Sequence, residues 1–102
     1  VSITSAATLD ATHNGKVLIC NNSSDFNLTV PEDTLPAGFN CLIVQKGAGE
    51  ITLAAASGNV TIHNRNSHEK TANQWAIMTL LCIDATTDAN VFVSGGDGVS
   101  AD

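Results

Sequence analysis

Tyrosine is absent from this chain of 102 residues, and its only aromatic side chains are Phe26, Phe39, Phe92 and Trp75. A core must therefore be filled mainly by Val, Ile, Leu and Ala. Basic residues are also scarce: four Lys and Arg stand against ten Asp and Glu, a net charge of −6. That sign repels phosphate backbones and anionic membrane surfaces, which argues against nucleic acid and lipid as partners. Long hydrophobic runs are missing too, for residues 76–83, interrupted by Thr79, fall far short of a bilayer span. No basic segment followed by an apolar one opens the chain in the manner of a secretion signal. Cysteine is limited to Cys20, Cys41 and Cys82, an odd number inside apolar runs and without CxxC spacing. Buried free thiols are expected, with one disulfide and an odd thiol as the alternative, and a zinc site is not indicated. The sequons at Asn21, Asn22, Asn27 and Asn59 have meaning only in a eukaryotic secretory route, to which nothing else points.

What the chain does contain is a succession of short apolar segments with a period of two. Phe26, Leu28 and Val30 alternate with polar neighbours, as do Ile51 with Leu53 and Val60 with Ile62, so each segment predicts a strand with one dry face. Asn14-Gly15 is a turn signal directly before Lys16-Val17-Leu18-Ile19-Cys20, which reads as a buried strand. Residues 31–36 begin and end with proline and read as a compact crossing loop. Residues 39–45 are apolar on both parities, which predicts a central strand covered on both faces. Gly47-Ala48-Gly49 then reads as the tight turn of a hairpin into the strand at 51–53. In the longest apolar run, Trp75, Ile77, Leu81 and Ile83 share one parity, and Ala76, Met78, Leu80 and Cys82 the other. A polar turn over 84–90 leads to a closing strand, Val91-Phe92-Val93-Ser94.

These segments, without an amphipathic helix, a βαβ rhythm or a fixed-period repeat, place the chain in the all-β class. The expected architecture is a small antiparallel β-barrel or β-sandwich, with Greek-key order as one arrangement. A single domain is expected over residues 1–94, with 1–8 as an N-terminal arm or edge strand and the glycine-rich residues 95–102 as a flexible tail.

Catalytic constellations are weak. The strongest metal reading joins His63 and His68 with Glu69, but His-x4-His spacing alone does not define a site, so exposed loop histidines are expected and no metal or cofactor is assigned. Ser67 and His68 with Asp84 or Asp97 lack a GxSxG elbow, and the adjacent acids Glu32 and Asp33 suit a turn better than glycosidic cleavage. No catalytic residue is assigned. The polar stretch 63–73 is expected to be an exposed loop, where contact residues concentrate. Trp75 is expected to be a core or subunit-interface residue, with sugar stacking as the alternative. His63, Arg65, His68 and Trp75 are accordingly the candidate interface or glycan contacts.

Several short motifs occur in order: Gly15-Lys16-Val17-Leu18, Asn27-Leu28-Thr29-Val30-Pro31, Leu35-Pro36-Ala37-Gly38-Phe39, the run from Val44-Gln45-Lys46-Gly47-Ala48-Gly49 through Glu50-Ile51-Thr52-Leu53 to Ala54-Ala55-Ala56-Ser57-Gly58, and Val91-Phe92-Val93-Ser94-Gly95. Together they resemble a small β module of tailed-bacteriophage structural proteins, found in tail fibre, tail-associated and head-decorating proteins. The resemblance covers residues 9–96. It implies a virion component, assembled in the bacterial host cytoplasm, homo-oligomeric and trimeric, without enzymatic activity or cofactor. Its implied partners are the major capsid protein or other virion proteins. Chain length favours capsid decoration, and the alternative is a tail fibre or tail-associated module that binds host-surface carbohydrate.

Overall fold

The computed structural model describes residues 1–100, which form two β-sheets packed face to face around one core. The strands are β1 (Ser2–Ile3), β2 (Ala7–Thr8), β3 (Lys16–Cys20), β4 (Phe26–Val30), β5 (Asn40–Gln45), β6 (Ile51–Ala55), β7 (Val60–Asn64), β8 (Lys70–Thr71), β9 (Ile77–Thr86), β10 (Ala89–Gly96) and β11 (Gly98–Val99). A six-stranded sheet runs in the order β1-β3-β5-β9-β10-β7, and a five-stranded sheet in the order β11-β8-β6-β4-β2. The shortest molecular extent, 19 Å, is that of two sheets about 10 Å apart with their outer side chains. The all-β class holds, and the architecture is an open sandwich, not a closed barrel.

Pairing differs from the antiparallel expectation. From β1 to β9 every connection crosses from one sheet to the other, so β1, β3 and β5 stack in parallel in one sheet and β2, β4 and β6 in the other. The chain winds as stacked coils, and the order is not that of a Greek key. Antiparallel pairing enters where β8 joins β6 and β9 joins β5, and β9–β10 is a hairpin closed at Thr87-Asp88, so the turn expected over 84–90 shrinks to its centre. The coils differ in length, Ile3 pairing with Cys20 and Cys20 with Gln45, which is why no fixed period is visible in the sequence.

Gly47-Ala48-Gly49 is not a hairpin turn: it carries the chain from β5 in one sheet to β6 in the other. This corner lies directly on the earlier corner at 21–25, with the Gly49 N–H donating to the Asn22 carbonyl at 2.8 Å and the Phe26 N–H to that of Glu50 at 3.1 Å. A Cβ at Gly49 would overlap the Ser24 carbonyl, and one at Gly47 would lie 2.5 Å from the Asn22 oxygen. Glycine is required by this close stacking of backbones.

The dry face predicted for β4 is the inward one, with Phe26, Leu28 and Val30 buried; in β5 and β9, where both parities are apolar, the structure selects Cys41 and Ile43, and Met78, Leu80 and Cys82, as the buried set. All three thiols are free and buried. Desolvation pushes Cys20 up to about 11 and Cys41 up to about 12, and raises Cys82. The N-terminal arm pairs within its own chain, β1 with β3 and β2 with β4. The tail expected from residue 95 is strand instead: Gly95 and Gly96 complete β10, and β11 pairs with β8. Its last two positions, 101–102, lie outside the described residues.

Candidate functional site

The outward parity of the six-stranded sheet is where the molecule departs from an ordinary sandwich. A sheet with one face in water alternates apolar and polar residues. Here both parities are apolar. Ser2, Ile19, Val44 and Ile77 form one row across β1, β3, β5 and β9, Val17, Leu42, Thr79 and Gly95 a second, and Leu81 with Val93 the centre of a third that ends in Asn40 and His63. Their side chains point away from the core, with Leu42 39 % exposed and Ile83, farther along β9, 54 % exposed. The three rows hold no Asp, Glu, Lys or Arg, although the whole chain carries −6; the exposed Asp84 stands opposite Val91 towards the hairpin end of the same sheet. The double-sided cover expected for residues 39–45 is thus provided within the chain on one side only.

Of the candidate contacts, His63 stands on this face at the end of the third row, opposite Val93, and the others lie in two polar regions. His63 is exposed on β7, Arg65 is exposed just beyond that strand, and His68 is half-buried, its N–H donating to Asn64 Oδ1 at 3.1 Å. His63 and Asn64 belong to β7 and Lys70-Thr71 to β8, so the loop expected over 63–73 is shorter than its polarity implies. A cleft of about 180 Å³ opens here, with Leu53 and Ile62 as its apolar lining and Ser67, His68, Glu69 and Ser94 among its polar residues. His68 also borders a wider groove of about 480 Å³ that contains Trp75. Trp75 is not a core residue: it is 63 % exposed, with φ of 73°.

His63, His68 and Glu69 do not converge. Among the described residues, the His, Cys, Asp and Glu side chains that bring three ligand atoms within 4.8 Å of one another are Glu32, Asp33 and Asp88. The oxygens of Glu32 and Asp33 already accept hydrogen bonds that fasten three corners together. Glu32 takes the Ser57 hydroxyl at 2.6 Å and the Asn59 amide at 3.0 Å; Asp33 Oδ1 takes the Asp88 N–H at 2.9 Å and the Asn90 amide at 3.0 Å. These bonds hold Glu32 and Asp33 below the usual carboxylate range, while the charge on Asp33 raises Asp88. The adjacency of Glu32 and Asp33 was visible in the sequence; Asp88 joins them only through the fold. Among the described residues no hydrogen bond links Ser67, His68 and either Asp84 or Asp97, and the Asp84 carboxylate is engaged by Thr86.

The outer sheet face thus presents central rows of exposed apolar side chains without charge, a surface that can act by covering and being covered. Comparison with protein-family models, with curated proteins and with solved structures finds no match for this chain.

Proposed function

We propose that this chain is a non-enzymatic structural protein of a tailed-bacteriophage particle, a capsid decoration protein that assembles as a homotrimer through the outer face of its six-stranded sheet. The observation that carries the assembly is that face. Its seven exposed apolar side chains on β3, β5, β9 and β10 present roughly 500 Å² of apolar area, near the top of what a monomer normally leaves uncovered. Covering it is worth on the order of 12 kcal/mol at about 25 cal/mol per Å². That is comparable with the roughly 4–15 kcal/mol lost on association, so the covering must be nearly complete to hold copies together. Three such sheets around a common axis enclose one another's faces.

Charge supports a sister chain as the occupant. Two surfaces of a −6 molecule repel unless they meet where charge is absent, and the three central rows of the outer sheet face meet that condition, Asp84 standing towards the hairpin end. The particle setting rests on the sequence resemblance, and decoration acts by preferring the assembled lattice to free capsid subunits. Light scattering tests the assembly: a mass near three times the 10.5 kDa chain is expected, and a monomer at high concentration overturns it. Co-sedimentation with purified capsids tests the setting.

A further inference from the structure

Trp75 occupies the third position of a tight turn over 73–76, closed by the Ala76 N–H on the Asn73 carbonyl at 3.0 Å. Its φ of 73° lies in the left-handed region, which a bulky side chain adopts at a cost of about 1–2 kcal/mol and glycine adopts freely. With 63 % of its surface exposed, the indole recovers little of that cost by packing. Stability alone would place glycine or asparagine here, so the return on the tryptophan lies outside the fold.

The surroundings define what it meets. The groove is lined by the small residues Ala72, Gly96 and Gly98 and by the polar side chains of Asn73, Gln74 and Asp97. Asn73 Oδ1 is taken by the Gln74 N–H at 2.8 Å, which leaves the Asn73 amide to donate. Gln74 Nε2 donates to the Lys46 carbonyl at 3.0 Å, which leaves Gln74 Oε1 to accept. The exposed carboxylate of Asp97 has no hydrogen-bond partner among the described residues. An aromatic platform flanked by one donor and two acceptors complements the C–H face and adjacent hydroxyls of a pyranose ring.

We infer that the Trp75 groove binds an uncharged pyranose unit of a polysaccharide, stacked on the indole and hydrogen-bonded by Asn73, Gln74 and Asp97. A sister subunit is the weaker occupant: its apolar surface would strand the Asp97 carboxylate away from water without a partner. The groove also lies at the corners joining β8 to β9 and β10 to β11, at the end of the sandwich and off the rows of the outer face. An anionic saccharide is disfavoured by Asp97 and by the net charge of −6. The site goes beyond the assembly role and uses other residues.

Trp75 is the chain's single tryptophan, so its fluorescence reports directly on the groove. The wild-type protein is titrated with cellohexaose, maltohexaose, isomaltohexaose, chitohexaose and mannohexaose, and with hexagalacturonate as the anionic probe. A saturable blue shift with at least one neutral hexaose is expected. Saturation-transfer NMR with that sugar should show binding at least tenfold weaker in Trp75→Ala and Asp97→Ala, and partly retained in Trp75→Phe. Trp75→Gly, which suits the backbone, serves as the folded control and should melt no lower than wild type while losing the sugar. Absence of a shift with every neutral hexaose, undiminished binding in Trp75→Ala, or tighter binding of hexagalacturonate overturns the proposal. Light scattering separates it from assembly: Trp75→Ala should keep the wild-type mass, and dissociation would assign Trp75 to the subunit interface instead.

Discussion

The Thr71 hydroxyl donates to Gln45 Oε1 at 2.6 Å in the fully buried core, joining the five-stranded sheet to the six-stranded one side chain to side chain. Neither group has spare capacity wasted. Gln45 Nε2 donates to the carbonyls of Gly47 at 3.1 Å and Ala48 at 3.3 Å, and Thr71 Oγ1 accepts the Ile51 N–H at 2.9 Å. The network thereby clamps the glycine corner between β5 and β6. Thr71→Val keeps the shape but orphans both Gln45 Oε1 and the Ile51 N–H, and should destabilise the protein by about 2–4 kcal/mol. Thr71→Ser retains the hydroxyl and should lose less than half as much in urea unfolding; equal losses would assign the effect to packing.

Gly49 and Gly58 look alike in sequence, each following small residues near the end of a strand, yet they should respond oppositely to alanine. At Gly49 the new methyl overlaps the Ser24 carbonyl and lies 2.9 Å from the Asn22 oxygen, both backbone atoms that cannot swing aside. Gly49→Ala should cost about 3 kcal/mol or more. Nothing lies within 4 Å of a Cβ at Gly58, and its φ is not left-handed. Gly58→Ala should be neutral or stabilise by about 0.5 kcal/mol, through the unfolded chain. Thermal melts of the two variants decide this, and similar behaviour would contradict the stacked-corner geometry.

That contrast marks how far the residues alone could be read. Strand positions were legible because short apolar runs between turn signals are local, and inward parity was legible where polar residues alternate, as with Phe26, Leu28 and Val30; in 77–83 both parities are apolar, and only the fold selects Met78, Leu80 and Cys82. Connectivity was not, since a glycine turn serves a hairpin and a sheet-crossing corner equally well, and only contact with Asn22 and Ser24, far back in the chain, separates them. The apolar outer parity of β5 and β9 was also legible, but the outward position of Trp75 was not: its parity with Ile77 left open whether that side is covered. The acidic trio escaped because Asp88 reaches Asp33 through the fold.

Acid should weaken the protein in a defined window. Hydrogen bonds hold the carboxyls of Asp10, Glu32, Asp33 and Asp84 below their ordinary values, 3.8 for Asp and 4.5 for Glu. Each binds its proton more weakly folded than unfolded, so its contribution is complete above those values and is lost as pH falls through the lower folded ones. Asp88 behaves oppositely, raised first by the charge on Asp33, so it opposes folding at neutral pH and ceases to do so once protonated. Asp88→Asn should therefore raise Tm by a few degrees at pH 7, with a smaller gain at pH 3. Because Asp88 has φ of 62°, which asparagine tolerates well, any gain common to both pH values belongs to the backbone and only the difference to charge. An equal gain at both would remove the electrostatic account.

Leu42 and Leu81 lie on neighbouring strands of the outer face, on β5 and β9, each about two-fifths exposed in the single chain. Glutamate at either position remains hydrated in a monomer and strains no packing inside the sandwich, so the far-ultraviolet dichroism should stay that of the wild type. In an assembly that encloses this face, the same carboxylate would be buried beside its symmetry mates, where several kcal/mol of desolvation and mutual repulsion oppose association. Leu42→Glu/Leu81→Glu should consequently sediment as a folded 10.5 kDa monomer under conditions in which the wild type is oligomeric. A double variant that keeps the wild-type mass would show that copies meet elsewhere, and a wild type that is itself monomeric would leave this face to a different protein.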